Sequence, residues 1–448
     1  MSEAVATGAP FAGLAAPPSP GRIWSAARVE RRKLAAQLPV KLLAVLALLG
    51  PFVFAVLLKV QSGTPSDALF GVWVHTSGYA ISLVVLGFAA TWGLPIIAGV
   101  LAGDLFASED RHGTWKTILT RSRTIDEVFA GKVVAAAGFS LGLGLLLAVS
   151  SLLAGLLLVG AHPMVDLSGR MLAPAHLLLL VSVSWLISLL PFLAYTSLAI
   201  LFSVATRNGI IGVLGPILVA LLTQLLALLG NGVWVHLLLI GSAFDAWHGL
   251  FVAHPFFGPL VVSVLVCLAW VAVALGSALL ILRRREFVGS APRRGGWRAT
   301  VRIAAGAIAL IALLALGTSI GPAGVTAHRL THSLSPEFQR LTILQQDLLG
   351  HPIPASARYH ILPVCGRRGS KPVGPGDWSC TMNVYILLSS GTQPLTNTPV
   401  AYDVSVQSNG CYKAQSPPLL VGQAQIHDTS GRTVVNPIAT IYGCLNIL

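Results

Sequence analysis

Long apolar runs separated by short polar segments dominate the pattern of this chain. A helix that crosses a membrane needs about 20 mostly apolar residues to span about 30 Å of hydrocarbon. Seven stretches reach that length, and they predict spans at 41–59, 79–102, 133–160, 174–204, 209–229, 257–282 and 303–321. The fold class predicted is therefore an all-α polytopic membrane protein, followed by a C-terminal region, 323–448, that lacks such runs.

The composition agrees with this class and excludes others. Hydrophobic residues make up 54% of the chain and charged residues only 10%, whereas soluble globular proteins carry about 25% charged residues. A soluble enzyme, a disordered chain and a fibrous protein are excluded. A β-barrel is excluded too, because its strands would alternate in polarity instead of forming solid apolar runs.

The basic residues predict the orientation of the spans. Nineteen of the 29 Lys and Arg residues fall at 1–41, 103–132, 205–208 and 283–302, against two in the short loops on the other side. Since Lys and Arg concentrate in cytoplasmic loops, the N-terminus is predicted to be cytoplasmic and residues 323–448 to lie outside. The net charge of +13 is then mainly a topology signal, and no nucleic-acid partner is expected.

Three further segments complete the predicted organisation. Residues 1–22 are polar and rich in Ala, Pro and Gly, which predicts a disordered tail. Residues 286–302 form a basic cytoplasmic linker before the seventh span at 303–321. The outer loop 230–256 is apolar yet broken by glycine and proline, which favours short re-entrant or interfacial helices.

The cysteines and the strand-like runs predict a small disulfide-containing domain at 323–448, either α+β or β-rich, that begins with an amphipathic helix over 326–349. Four Cys in an oxidising compartment suggest two disulfides, with three possible connectivities. Cys365–Cys380 with Cys411–Cys444 is the connectivity we favour. A zinc site is the alternative, but no CxxC pair occurs there.

Three sequence matches point to a known family. The loop after the second span carries Glu109, Gly113-Thr114, Leu119, Arg121 and then Gly131-Lys132. In this order and spacing, the loop resembles the first cytoplasmic loop of the ABC-2 type permeases of ABC transporters, although Ser122 stands where that family has proline. Residues 23–34 and 201–207 provide the second and third matches, and the resemblance covers roughly 20–285.

The resemblance implies a six-span permease core at 41–285 with an interfacial elbow helix at 23–40. The elbow residues are Trp24, Glu30, Arg31 and Lys33. It also implies that the loop 104–130 couples the chain to a separate cytoplasmic ATPase, and the mixed charges of that loop favour an amphipathic helix docked in a groove of the partner. The coupling residues are Glu109, Arg111, Gly113, Thr114, Lys116, Leu119 and Arg121.

No phosphate-binding loop is present, because Gly131-Lys132 lacks the earlier glycine of Gly-x-x-x-x-Gly-Lys-Ser/Thr. The chain is therefore expected to be no enzyme, with no catalytic residue, metal or cofactor of its own; ATP and Mg are expected on the partner ATPase. Six spans are half of a full membrane domain, so a second permease copy, identical or related, is expected.

Gly138-x-x-x-Gly142 predicts close helix packing.

The spans contain almost no ionisable side chains, which favours an amphipathic or hydrophobic substrate such as a lipid, a lipid-linked glycan or a drug. Polar side chains that could line its path are Ser184, Ser188, Tyr195, Thr196, Thr223 and Gln224, although hydroxyls in spans also make ordinary helix contacts. The function predicted is the membrane subunit of an exporter in a bacterial cytoplasmic membrane. A membrane-anchored sensing or binding protein, with the spans as scaffold, is the alternative.

Overall fold

The computed structural model describes residues 20–61, 65, 68–120, 124–228, 238–285, 324–353, 358–369, 372–387 and 397–446. The predicted linker 286–302, the predicted seventh span 303–321 and all but the last three residues of the predicted tail 1–22 lie outside this description.

Six helices among the described residues are long and apolar enough to cross a membrane. They are Leu38–Val60, Gly78–His112, Ile125–Leu158, Pro174–Thr206, Gly209–Leu226 and Gly258–Arg283. They correspond to the first six predicted spans, and several extend past the predicted ends. A helix of 34 residues is about 50 Å long, so Ile125–Leu158 exceeds the hydrocarbon thickness and projects beyond it.

The helices are numbered here in chain order. They are α1 Pro20–Ala36, α2 Leu38–Val60, α3 Gly78–Phe88, α4 Leu94–Ala102, α5 Ala107–His112, α6 Trp115–Thr120, α7 Ile125–Leu158, α8 Pro174–Thr206, α9 Gly209–Leu228, α10 Ile240–Ala243, α11 Gly258–Arg283, α12 Ala327–Leu348 and α13 Pro418–Val421. The elbow predicted at 23–40 corresponds to α1, which ends earlier because Gln37 is extended (φ −69°, ψ 131°).

A π-helical turn at Ala89–Gly93 joins α3 and α4 within the second span. Pro95 follows in the first turn of α4. Proline has no N–H and its ring crowds the preceding turn, so the regular hydrogen-bond ladder cannot continue through this point. The second span is therefore two helical pieces joined by a wider turn.

Glycines allow several helices to approach at backbone distance. A Cβ on Gly155 of α7 would collide with the backbone of Gly78 on α3, and one on Gly103 would collide with the backbone of Gly212 on α9. The packing predicted at Gly138 and Gly142 is not found in the described part of the chain, because a Cβ at either position meets no atom within 4 Å.

This contrast gives a matched pair of substitutions on one helix. Gly155→Ala is expected to destabilise the protein by about 3 kcal/mol, because backbone atoms block the new methyl group. Gly142→Ala is expected to leave stability unchanged or to raise it by up to about 1 kcal/mol, since alanine is the better helix former. Thermal unfolding of the purified variants measures both effects. Equal melting temperatures would contradict the close α3–α7 contact.

The C-terminal region is β-rich. Strands β1 Met164–Val165 and β2 Met171–Leu172 lie outside this region and form a hairpin after α7. The strands of the C-terminal region are β3 Arg358–Arg367, β4 Gly376–Leu387, β5 Asn397–Val406, β6 Cys411–Gln415, β7 Gln425–His427, β8 Thr433–Val435 and β9 Thr440–Cys444. Five of them make an antiparallel sheet in the order β3-β4-β5-β6-β9. We call residues 324–446 the sheet domain.

The amphipathic helix α12 packs against this sheet. Its apolar stripe of Leu330, Leu334, Phe338 and Leu341 is buried in the same core as Trp378 and Tyr402 of the sheet. The predicted helix over 326–349 agrees closely with α12, Ala327–Leu348. The opposite, polar stripe of α12 faces away from this core.

Two cysteine pairs join neighbouring strands of the sheet. Cys365 stands opposite Cys380 in the β3–β4 register, and Cys411 stands opposite Cys444 in the β6–β9 register. The sulfur atoms of the two pairs are 2.02 and 1.99 Å apart. The structure therefore has the connectivity that the sequence analysis favours, and Cys267 is the free cysteine of the described residues.

The sheet domain and α1 lie at opposite ends of α7. Gly131, near the start of α7, touches Ala26 and Ala27 of α1, whereas the β1–β2 hairpin follows the end of α7. Arg340 of α12 donates a hydrogen bond of 2.6 Å to the carbonyl of Ser168 in this hairpin. The bundle therefore has an α1 end and a sheet end, some 50 Å apart along α7.

Candidate functional site

A buried group of opposite charges lies at the α1 end, where α1, α5 and α7 meet. The Lys132 ammonium, on α7, is 3.0 Å from Glu30 Oε2 of α1 and 3.0 Å from Glu109 Oε1 of α5. The Lys132 side chain is only 1% exposed. A charge so deeply buried requires opposite charges or hydrogen-bond partners, and this one has both.

The third donor of the Lys132 ammonium is satisfied as well. It donates to the carbonyl of Leu105 at 3.0 Å, and the ring of Phe106 lies beside it with its centroid 5.6 Å from Nζ. An ammonium has three N–H donors and no acceptor. All three are therefore used, and Lys132 is held by α1 and by residues 105–109.

Lys33 of α1 adds a second cation from the outer side of this group. Its ammonium is 3.1 Å from Glu30 Oε1 and 3.0 Å from Glu109 Oε1. Partial burial opposes the charge, but the hydrogen bonds and the charges of the two carboxylates outweigh it, so the pKa of Lys33 is raised. Glu30, Lys33, Glu109 and Lys132, called the Lys132 cluster below, thus balance two negative and two positive charges.

The local sequence explains why these side chains meet. Gly131 has no Cβ, and this lets α1 approach α7 at Ala26 and Ala27 directly beside Lys132. Thr124 and Glu127 form a capping box that fixes the start of α7. At the start of α5, Ser203 Oγ of α8 accepts from the N–H groups of the neighbouring residues 106 and 107, at 3.2 and 3.1 Å.

Residues 104–120, called the α5–α6 segment below, form two short helices with a sharp turn between them. Gly113 ends α5 in the left-handed region with φ 64°, which glycine adopts without steric cost. The hydroxyl of Thr114 then donates to Glu109 Oε2. Trp115 is buried against Phe106, with ring centroids 6.3 Å apart. The single amphipathic helix expected in this loop is therefore broken at Gly113.

Ion pairs also tie this end of the bundle to α11. Asp110 of α5 is 3.0 Å from Arg285, just past α11. Asp126 of α7 is bound by the Nε and Nη2 atoms of Arg283 at 2.8 and 2.6 Å. The α5–α6 segment therefore contacts α1 and α7 through the Lys132 cluster, α8 through Ser203, and α11 through Asp110.

The turn of the α5–α6 segment is exposed. Arg111, His112 and Gly113 are all exposed, and Arg111 pairs with Asp104 at 2.8 Å. Of the predicted coupling residues, Glu109 is buried in the Lys132 cluster, Thr114 is half-buried, and Arg111 and Gly113 lie on the surface. The side chains of Lys116 and Leu119, and the whole of Arg121, lie outside the description.

The predicted elbow residues separate in the same way. Glu30 and Lys33 join the Lys132 cluster, whereas Arg31 is exposed and Trp24 is 59% exposed. An exposed tryptophan beside arginines is typical of a helix that lies in a membrane interface.

The predicted polar path residues are mostly engaged within the bundle. Ser184, Ser188 and Thr223 donate to carbonyls of their own helices. Thr196 Oγ1 lies 2.9 Å from the hydroxyl of Ser140, and the Tyr195 hydroxyl lies 3.5 Å from Thr223 Oγ1. Gln224 is half-buried. The hydroxyls of these residues are therefore engaged in contacts within the bundle.

Sequence reasoning missed the role of Lys132 and its partner Glu30. A signal was present, because Lys132 is a lone charge followed by the long apolar run of the third span. A lysine at such a position must be paired. Its partners, however, lie 102 and 23 positions away along the chain, and the sequence alone did not identify them.

Residues 27–223 match the family model described as ABC-2 family transporter protein. This match supports an ABC-2 type permease. The matched range begins within α1 and ends within α9, so it contains the whole Lys132 cluster, while the sheet domain of the permease lies beyond it. No curated protein matches the chain.

Proposed function

We propose that this permease is the membrane subunit of an exporter that a separate ATPase subunit drives. The family match and the six apolar helices support a transport role. The bias of basic residues supports an α1 end that faces the cytoplasm of a bacterial cell, with the sheet domain outside.

The observation that carries the proposal is the Lys132 cluster. It joins the α5–α6 segment to α1 and α7 through contacts of 3.0 Å that are shielded from water. Ion pairs in such surroundings are strong and hold their geometry. A displacement imposed on the exposed turn at 111–113 would therefore move the start of α7 with it.

The exposed turn is the surface we assign to the ATPase. Arg111, His112 and Gly113 project from the segment, and charged residues of both signs flank them. A small charged helix of this kind suits a groove on a soluble partner, where complementary charges select the partner. ATP and Mg would be bound by that partner.

Charge reversal at the turn tests this role. Arg111→Glu is expected to reduce co-purification of a co-expressed candidate ATPase by about tenfold, because a like charge across an interface costs more than 1.4 kcal/mol. The fold should survive, since the exposed Arg111–Asp104 pair contributes about 0–1 kcal/mol. Pull-down of the tagged permease, with the ATPase rate measured on the eluate, provides the readout.

Arg32→Glu is the matched control, because Arg32 is an exposed arginine of α1 at the same end of the bundle. It should leave ATPase recovery unchanged. Undiminished recovery and ATP hydrolysis with Arg111→Glu, at equal permease levels in the membrane, would refute docking at the turn.

The substrate we propose is amphipathic or hydrophobic, such as a lipid, a lipid-linked glycan or a drug. The span hydroxyls are engaged in helix contacts, and a strongly charged molecule would find little compensating charge among them. Two permease copies, identical or related, would together enclose the path.

A membrane-anchored binding protein is the second candidate, and the sheet domain is the observation that favours it. This domain has its own apolar core and two cysteine pairs. The two candidates differ in one measurable respect, because an anchored binding protein would recover no ATPase from the membranes of its own host.

A further inference from the structure

An open cleft of about 710 Å³ lies at the sheet end of the bundle. One wall is the polar stripe of α12, and the other is the segment 252–256 that leads into α11. Its volume is within the range of small-molecule sites in proteins. Neither the family match nor the proposed coupling role accounts for it.

The walls of the cleft are fixed to each other through the β1–β2 hairpin. Arg340 of α12 donates to the Ser168 carbonyl at 2.6 Å. The Ser168 hydroxyl accepts from the Ala253 N–H at 2.7 Å, and Arg170 Nη2 donates to the Val252 carbonyl at 3.1 Å. The cleft is therefore a shaped site that both the sheet domain and the bundle build.

Basic side chains dominate the polar lining. They are His254, His328, Arg329, His332 and Arg340. His328 and His332 lie on one side of α12 with their rings 6.4 Å apart. Arg329 is held by carbonyls of residues 324 and 446, at 3.0 and 3.4 Å.

Negative charge is largely neutralised around the cleft. Glu337 is the one acid among the described residues that line it. The Tyr412 hydroxyl donates to Glu337 Oε2 at 2.6 Å, and burial raises the pKa of this carboxyl well above its usual range. Asp166, close by, is paired with Arg170 at 2.8 Å. The cleft therefore favours an anionic ligand.

An apolar surface continues from the cleft towards the membrane. Phe256 lines the cleft, and the next residues begin α11. Phe257, Val261 and Leu265 follow at helical spacing and are 56%, 55% and 62% exposed. A molecule with its charged group in the cleft could thus lay a hydrocarbon chain along this stripe within the bilayer.

We propose that this cleft binds the phosphate-bearing head group of an amphipathic molecule whose tail lies along the Phe257–Leu265 face of α11. The basic lining selects the head group, and the apolar stripe selects the tail. The inference that this molecule is the cargo of the permease rests on the proposed transport function. Its binding to the cleft does not depend on that function.

Binding to the purified full-length permease, with no ATPase present, tests the site. The probe is a fluorescent short-chain phosphatidic acid, with the diacylglycerol of equal chain length as the uncharged comparison. The variant H328Q/R329Q/H332Q is expected to bind the acid at least about tenfold more weakly, since charge-assisted hydrogen bonds are lost. Binding of the diacylglycerol should not change.

Two further variants keep the result interpretable. H328Q/H332Q retains Arg329, which could also support the fold, and should show the same trend. Arg368→Gln removes an exposed arginine elsewhere on the sheet domain, where it pairs with Asp403, and should bind as the parent does. Melting temperatures of all variants report on the fold.

Competition with inorganic phosphate tests whether the cleft is a site for an amphiphile or for free phosphate. It should displace the lipid only at concentrations about a hundredfold higher or more, because it lacks the apolar contact. Equal competition by phosphate would overturn the assignment to an amphiphile. Unchanged lipid binding in both histidine variants would overturn the site, whatever the result for ATPase docking at Arg111.

Discussion

Lys132→Met is expected to destabilise the permease by about 3–5 kcal/mol, the range for removing one partner of a buried ion pair. Two carboxylates, those of Glu30 and Glu109, would remain in a buried site with Lys33 as their shared partner. Lys33 is half exposed, so it compensates them only in part. Thermal unfolding and the yield of membrane-inserted protein measure the loss.

Lys41→Met is the control for Lys132→Met. Lys41 is exposed at the start of α2, so its loss removes one positive charge from the same end of the bundle without exposing a buried acid. Equal melting temperatures for the two variants would contradict the burial of the Lys132 cluster.

A rescued variant separates stability from coupling. In K132M/E30M/E109M the buried charges disappear together, and replacing a whole buried ion group with hydrophobic side chains of similar volume is often neutral for stability. We expect this variant to fold and to retain the proposed ATPase partner, because the exposed turn at Arg111 is unchanged. We also expect substrate-stimulated ATP hydrolysis to fall, because the ionic link between α5 and α7 is gone.

The spans were predictable because each is a local property of the sequence. A run of about 20 apolar residues has few alternatives to a membrane helix, and the first six predicted runs correspond to helices. The favoured cysteine pairing was also found in the structure. Each pair lies on neighbouring antiparallel strands, which place its two cysteines directly opposite each other.

The Lys132 cluster was not predictable in the same way. Its members come from α1, α5 and α7, and the choice of Glu30 as partner depends on how closely α1 approaches Gly131. The break at Gly113 was also missed. A glycine within a mixed-charge pattern is compatible with a helix interior and with a helix end. In the structure Gly113 takes the left-handed conformation that ends α5.

The cleft of the sheet domain depends on tertiary contacts alone. His328 and His332 were recognisable as neighbours on one helix, but their position opposite His254 requires the hairpin contact of Arg340 with Ser168. Such contacts join segments that are 172 positions apart, and no local pattern encodes them.

Removal of the Cys411–Cys444 disulfide is expected to destabilise the sheet domain more than removal of the Cys365–Cys380 disulfide. The chain-entropy relation gives about 3.7 kcal/mol for a separation of 33 residues and about 3.0 kcal/mol for a separation of 15. C411S/C444S should therefore lower the local stability of the sheet domain more than C365S/C380S. Hydrogen exchange of the sheet amides in the full-length permease measures this stability.

Cys267→Ser is the control, because Cys267 is buried within α11 and unpaired. Without reductant, a thiol reagent should leave the four paired cysteines of the parent protein unmodified. Rapid labelling of all four, or equal exchange rates in C411S/C444S and the parent, would contradict the stabilising role of this bond.

The position of Cys411 gives a reason to expect more than the entropic loss. The disulfide fixes β9 to β6, and the Cys411 sulfur lies 3.7 Å from His248 Nδ1 in the bundle. Beside it, Asn409 donates to Asp245 Oδ2 at 3.1 Å. Since this is one of the places where the sheet domain rests on the bundle, C411S/C444S should also speed exchange around 245–251, whereas C365S/C380S, on strands β3 and β4, should not.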